Sequence, residues 1–259
     1  MDDIFKYVEY SISKRCAELG IENPVEKYKE FLLPEDIYPD ILFDTSYSFD
    51  DFGNKSKFYF KNGGNIYFHS NDYSRPLSAF WVRELFIKYC GFTVVTTKLI
   101  DALIIYLEKL LNKNRSNIRI LEIGSGLGTL TYGLRSRGIP STMAVDYFGR
   151  DYPFDNYKHI WIQDTINANQ EEALTKYIND IDCIICCWPD IESGIENIPD
   201  IIKRYRADLK MIYCGENYGG CTANNDFFNL LKEMEPINVI NSVYKRWQGI
   251  HDSWYIVTF

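Results

Sequence analysis

Three clusters in this sequence combine residue types able to hold and react a polar ligand. The first is Leu121-Glu122-Ile123-Gly124-Ser125-Gly126-Leu127-Gly128-Thr129, where an apolar run gives way to alternating glycines. A Cβ at Gly124 or Gly126 would forbid the turn's dihedrals or fill space a ligand needs. A helix beginning just after would add free amides and the positive end of its dipole. The second cluster is Cys187-Trp188-Pro189-Asp190-Ile191-Glu192, where Pro189 ends an apolar run and leaves an indole and two carboxylates exposed to chemistry. The third is Cys214-Gly215-Glu216-Asn217-Tyr218-Gly219-Gly220-Cys221-Thr222, a glycine-rich loop carrying Glu216 and Tyr218. Asp190 can serve as a base or an amine anchor, with Glu192 as the weaker candidate, and Glu216 can face a substrate. Each also has an ordinary reading: Asp190 as a turn residue, and the Glu216 loop as a connection whose Thr222 or Asn225 caps the next helix.

The spacing of the first cluster is E-x-G-x-G-x-G, with Thr129 where the dinucleotide fingerprint G-x-G-x-x-G has its third glycine. It resembles the first motif of class I S-adenosylmethionine-dependent methyltransferases more closely than that of NAD enzymes. The resemblance covers about Ser116 to Phe259. It implies S-adenosylmethionine as cofactor, held by Glu122, Gly124, Ser125, Gly126 and Gly128. It further implies that Asp146, ending Ala144-Val145-Asp146, accepts the ribose hydroxyls, with Tyr147 and Cys187 also at the cofactor. Asp164 in His159-Ile160-Trp161-Ile162-Gln163-Asp164-Thr165 is the candidate for the adenine amino group, a role Gln163 or Thr165 could also fill. Asp146 and Asp164 can equally be read as turn or capping residues. Cys187-Trp188-Pro189-Asp190 stands where amino-methyltransferases of the family carry N/D-P-P-Y/F, but it has one proline and no aromatic at the fourth position, so base methylation does not carry over. The implied activity is methyl transfer to a small-molecule or protein acceptor. Two other readings share the opening: a noncatalytic scaffold of the same fold, and an NAD oxidoreductase, which the glycine spacing and the chain's end disfavour.

The elements that must position these clusters follow from periodicity. From Asn117 onward, short apolar runs alternate with helical segments, the pattern of parallel strands with crossover helices. The strand candidates are IRILEI, TMAVDY, HIWIQD, DCIICCW and KMIYCG, followed by INVINSVYKRW and SWYIVTF as antiparallel neighbours. Helices are expected near 129–137, 170–178, 195–206 and 226–235. The expected fold is α/β, a Rossmann-like seven-stranded mostly parallel sheet ending in an antiparallel hairpin, over residues 95–259. Residues 1–94 read as a mainly helical cap: two helices within 2–31, a β-hairpin around Asn62-Gly63-Gly64-Asn65, and a helix running from Pro76 to Gly91. A further helix, capped by Thr96 or Thr97, leads into the first strand. The span between Asp146 and Asp164, with Gly149, Arg150, Asp151 and Pro153, suits a loop better than a crossover helix. Cap aromatics Tyr67, Phe68, Tyr73, Phe80 and Trp81 could close over a substrate, although such residues more often form core.

The chain has 259 residues, 46% hydrophobic and 25% charged, enough for one large α/β unit with an appendage. A net charge of −8 argues against broad phosphate neutralisation, and so against duplex nucleic acid as a partner. Lys203, Arg204 and Arg206 read as a solvated helix face. Seven cysteines without a framework pattern, and an N-terminus without a signal-peptide run, point to a reduced, cytoplasmic protein. No stretch reads as a membrane span. Cys183 and Cys186 have C-x-x-C spacing, but on a strand they face opposite sides, so no metal site is expected.

Overall fold

The computed structural model describes residues 2–42, 59–61, 65–67, 79–147, 159–218 and 220–259. Helix α1 (Asp2–Leu19) ends at Gly20, and α2 (Pro24–Lys29) opens on Asn23, whose side chain accepts the Val25 N–H, with Pro24 in the first turn. A single turn, α3 (Pro39–Leu42), follows. Strands β1 (Tyr59–Lys61) and β2 (Asn65–Tyr67) pair antiparallel, and the residues of the expected turn between them lie outside the described set, as do Phe68 and Tyr73. Helix α4 (Ala79–Cys90) stops at Gly91, whose φ is 84°. Helix α5 (Thr97–Leu111) starts on Thr96, which accepts the Leu99 N–H at 3.1 Å, and ends on left-handed Asn112.

Strands β3 (Arg119–Ile123), β4 (Ser141–Asp146), β5 (Ile166–Asn167), β6 (Cys183–Cys187), β7 (Lys210–Gly215), β8 (Glu233–Pro236) and β9 (Ser253–Thr258) form one sheet in the order β5-β4-β3-β6-β7-β9-β8. The first five are parallel, and β9 runs antiparallel to both β7 and β8. Helices α6 (Thr129–Ser136), α7 (Gln170–Tyr177), α8 (Ile198–Tyr205), α9 (Asn225–Leu230) and α10 (Asn238–Asn241) complete the chain. Because both faces of the sheet are covered, its inner strands are apolar throughout, as in Cys183-Ile184-Ile185-Cys186. Alternate residues enter opposite cores. Ile120, Cys183, Ile185, Ile212 and Trp254 pack with Ile12, Tyr28, Leu85 and Phe86 of the N-terminal helices and with α5. Leu121, Ile184, Cys186 and Met211 pack on the other face with Leu174, Ile202 and Phe227. Cys183 and Cys186 thus lie in different cores.

Two expected strands differ. HIWIQD is not one: the Trp161 N–H donates to Leu127 O at 2.9 Å and its indole N–H to Tyr89 O at 2.6 Å, so the segment clamps the glycine turn while the short β5 begins later, at Ile166. INVINSVYKRW is not the sixth strand either. Its buried residues Ile237, Ile240, Tyr244 and Trp247 recur at helical spacing, and the strand is the preceding Glu233–Pro236, which was expected to end a helix. Asn241 then hydrogen-bonds both backbone groups of Trp254, as a neighbouring strand would. Of the expected loop after Asp146, residues 148–158 lie outside the described set. No described helix is long and apolar enough to cross a membrane.

Candidate functional site

The sheet order reverses between β3 and β6, and ligands of open α/β sheets bind outside the carboxyl ends of strands at such a point. A cavity of about 590 Å³ lies there. One end is the glycine turn. Gly124, Gly126 and Gly128 have φ of 66°, 53° and 80°, and a Cβ added at Gly124 or Gly126 meets no atom of the described residues within 4 Å, which leaves room for a ligand beside them. Gly128 is required for a different reason: a Cβ there would stand 2.3 Å from Ile162 Cγ1, in the segment that clamps the turn.

Asp146 ends β4 at the cavity wall. The Gly126 N–H donates to its Oδ2 at 2.6 Å and the Tyr147 N–H to its Oδ1 at 2.7 Å, which fixes the carboxylate and leaves lone pairs for further donors. Burial raises its carboxyl above the ordinary value, against those two hydrogen bonds. Glu122 also lines the cavity, and burial pushes it up to about 7, with the Thr131 hydroxyl donating to its Oε2. The Ser125 and Thr129 hydroxyls line the cavity as well and are buried without a hydrogen-bond partner among the described residues. Such groups are costly unless a ligand or water satisfies them. Tyr147 and Cys187 complete this half together with Ala168, Asn169 and Gln170, which follow β5.

The cavity is further lined by Trp188–Asp190, Glu192 and Ser193, whose carbonyl accepts the Gln170 side-chain amide, and by Gly91–Thr93 between α4 and α5. Trp188 has φ of 53°, a strained value for a bulky residue. It is held by its indole N–H, which donates to Asp252 Oδ2 at 2.8 Å, and by its own N–H to Cys214 O. Buried Asp252 also accepts the Tyr244 hydroxyl, and burial raises its carboxyl. Phe92 stacks on Trp188 with ring centroids 5.7 Å apart. Asp190 is exposed, with Oδ1 accepting the Glu192 N–H at 2.8 Å.

Two expected residues stand elsewhere. Asp164 is exposed, outside the cavity lining, and paired with Arg135 at 2.7 Å, because the chain has not yet reached β5. Glu216 is also outside the lining. It accepts the N–H groups of Cys221 and His251 and so folds its own loop onto the start of β9; despite burial these bonds hold its carboxyl below the ordinary value. Among the cap aromatics, Phe80 packs on Trp81 and Trp81 on Phe5, and neither lines the cavity. Phe92 and Thr93 were missed, and their only sequence signal is an aromatic directly after the glycine that ends α4.

The five parallel strands in doubly wound order, the antiparallel strand second from the edge and the open glycine turn facing Asp146 are now in view. The chain has a Rossmann-like fold, a seven-stranded, mostly parallel sheet with an antiparallel C-terminal strand. No family model matches it, and no curated protein does. Solved structures similar to it include a protein of the NADB-Rossmann superfamily from Streptococcus agalactiae, 14% identical over 63% of this chain and 68% of that one, with a TM-score of 0.34. Another is a variant of MtNAS in complex with S-adenosylmethionine, 13% identical over 68% and 66%, with a TM-score of 0.38. A third is magnesium protoporphyrin IX methyltransferase from Synechocystis with bound S-adenosylmethionine, 12% identical over 63% and 79%, with a TM-score of 0.37. Likeness at this level carries no chemistry over to the present chain.

Proposed function

We propose that this protein is an S-adenosylmethionine-dependent methyltransferase acting on a small-molecule or protein acceptor. The observation that carries the reading is Asp146, a carboxylate oriented by the Gly126 and Tyr147 amides beside an open glycine turn, with capacity left to accept the two hydroxyls of a ribose. Ser125 and Thr129 offer the same ligand hydroxyls that are unpaired among the described residues. Glu122 faces the cavity with a carboxyl poised near 7, so a cation beside it favours its ionised form. Ala168–Gln170, which follow β5, take the adenine end in place of Asp164.

When bound, S-adenosylmethionine supplies the activated methyl group. The chain's own share is positioning: the glycine turn and the start of α6 hold the cofactor, and Gly91–Thr93 and Trp188 wall the acceptor end. Asp190 accepts the proton of an acceptor that arrives protonated. Glu216, turned into its own loop, has no part in this.

Calorimetric titration of the purified chain with S-adenosylmethionine, S-adenosylhomocysteine and NAD tests the reading. Both methyl-cycle ligands should bind and NAD should not. Asp146→Ala should weaken binding by about ten- to a hundredfold, since hydrogen bonds to a charged acceptor contribute about 1.5–3 kcal/mol. Unchanged affinity in a folded variant, or preference for NAD, overturns it.

A further inference from the structure

The lining of the cavity has a one-sided charge. Among the described residues it includes four carboxylates, Glu122, Asp146, Asp190 and Glu192, and no lysine, arginine or histidine. Glu122 and Asp146 belong to the glycine-turn end. Asp190 lies two residues beyond Trp188, where its charge draws in a cationic acceptor and disfavours an anionic one.

Two further observations at that end point the same way. Thr93 is 6% exposed, lines the cavity and has a hydroxyl without a partner among the described residues, a ready acceptor for an N–H. Phe92 and Trp188 stand with their planes 14° apart, and the Arg83 guanidinium packs 5.7 Å and 5.3 Å from their ring centroids. Arg83 does not line the cavity and lies 3.4 Å from Glu84, so its charge is met outside. Both rings line the cavity, and the Arg83 contacts show that this ring pair attracts a cation. Asp252 keeps the indole in place by its hydrogen bond.

We propose that the methyl acceptor is a cationic amine, seated against the Phe92–Trp188 rings with its ammonium at Asp190. This rests on the methyl-transfer reading and adds the acceptor to it. Asp190 Oδ1 is engaged by the Glu192 N–H, which leaves Oδ2 for the ammonium. The ammonium passes one proton to Asp190, whose exposed carboxylate returns it to water. The freed nitrogen lone pair forms the new N–C bond to the methyl carbon as the C–S bond breaks, and that bond's electron pair stays on sulfur. The product leaves as a methylated ammonium.

The test uses the full chain saturated with S-adenosylhomocysteine and titrated with three probes of similar shape: phenethylamine, 2-phenylethanol and 3-phenylpropanoate, with tryptophan fluorescence and calorimetry as readouts. The amine should bind about tenfold or more tightly than the alcohol, and the acid most weakly. Asp190→Asn should remove most of that preference while S-adenosylhomocysteine affinity stays the same, and Phe92→Leu should weaken the amine alone. A parallel titration with Nα-acetyl-lysine methylamide tells whether a protein side chain or a free amine is the better source of the cation, and preference for either over the alcohol supports the proposal. Bound S-adenosylhomocysteine with equal affinity for the three probes, or with preference for the acid, overturns the acceptor and leaves the methyl-transfer reading standing. Failure of S-adenosylhomocysteine to bind the folded chain brings down both.

Discussion

The two ends of the cavity are built by different means. The glycine-turn end is built around one strand-turn-helix-strand unit, from Glu122 to Tyr147, to which Ala168–Gln170 and Cys187 are added, and its decisive features are backbone dihedrals and amides that orient a single carboxylate. The end that we propose takes the acceptor draws on segments distant in sequence: Phe92 and Thr93, the loop opening at Trp188, and Asp252, which is joined to Trp188 across 64 positions. The first kind of site is fixed by local chain geometry. The second exists only once the fold has brought side chains together, so it can change its ligand without disturbing the first.

The contrast can be broken in order of expected effect. Gly126→Val puts a β-branched residue at φ 53° and its side chain into the cavity, so cofactor affinity should fall by about a hundredfold or more in calorimetry. Near-normal binding would mean the turn is not the cofactor's seat. Glu122→Gln gives the next effect, in stability. Its folded carboxyl near 7 stands above the ordinary 4.5, so its favourable contribution is fully present below about pH 4.5 and is lost as pH rises through 7. Relative to wild type, the Gln variant should therefore gain stability between pH 5 and pH 8, by up to roughly 3 kcal/mol. Parallel denaturation curves at every pH would place that residue in a more polar setting.

Trp188→Phe keeps a ring but loses the hydrogen bond to Asp252. The acceptor KM should rise about three- to tenfold, the range of one hydrogen bond, with cofactor affinity unchanged. Equal losses of both would mean that the two ends are not separable. The smallest effect belongs to Asp164→Ala. It removes an exposed ion pair with Arg135 and should change cofactor affinity by less than about twofold.

How much of this was legible follows from the same contrast. The glycine turn, Asp146, the helices opening at Thr96 and Thr129 and the parallel strands could all be read, because each is written in consecutive residues as a period, a cap or a backbone requirement. Strand β8 could not: Glu-Met-Glu-Pro carries the charge and proline of an exposed edge instead of an apolar run. HIWIQD looked like a strand because Trp161 and Ile162 are buried, yet they are buried against the glycine turn and α4. Asp164 lies a few residues before β5 and so stands outside the cavity lining. Glu216 sits in a loop of the expected kind, but backbone amides of Cys221 and His251 turn it inward, a closure that no spacing rule encodes. Phe92 and Thr93 gained their importance only from what the sheet places opposite them.

The most direct measurement is a crystal structure of the chain grown with S-adenosylhomocysteine. The ligand should lie across the glycine turn with both ribose hydroxyls within about 2.5–3.0 Å of the Asp146 carboxylate and its sulfur directed toward Trp188 and Asp190. A ligand seated elsewhere, or a ribose without contact to Asp146, would contradict the account.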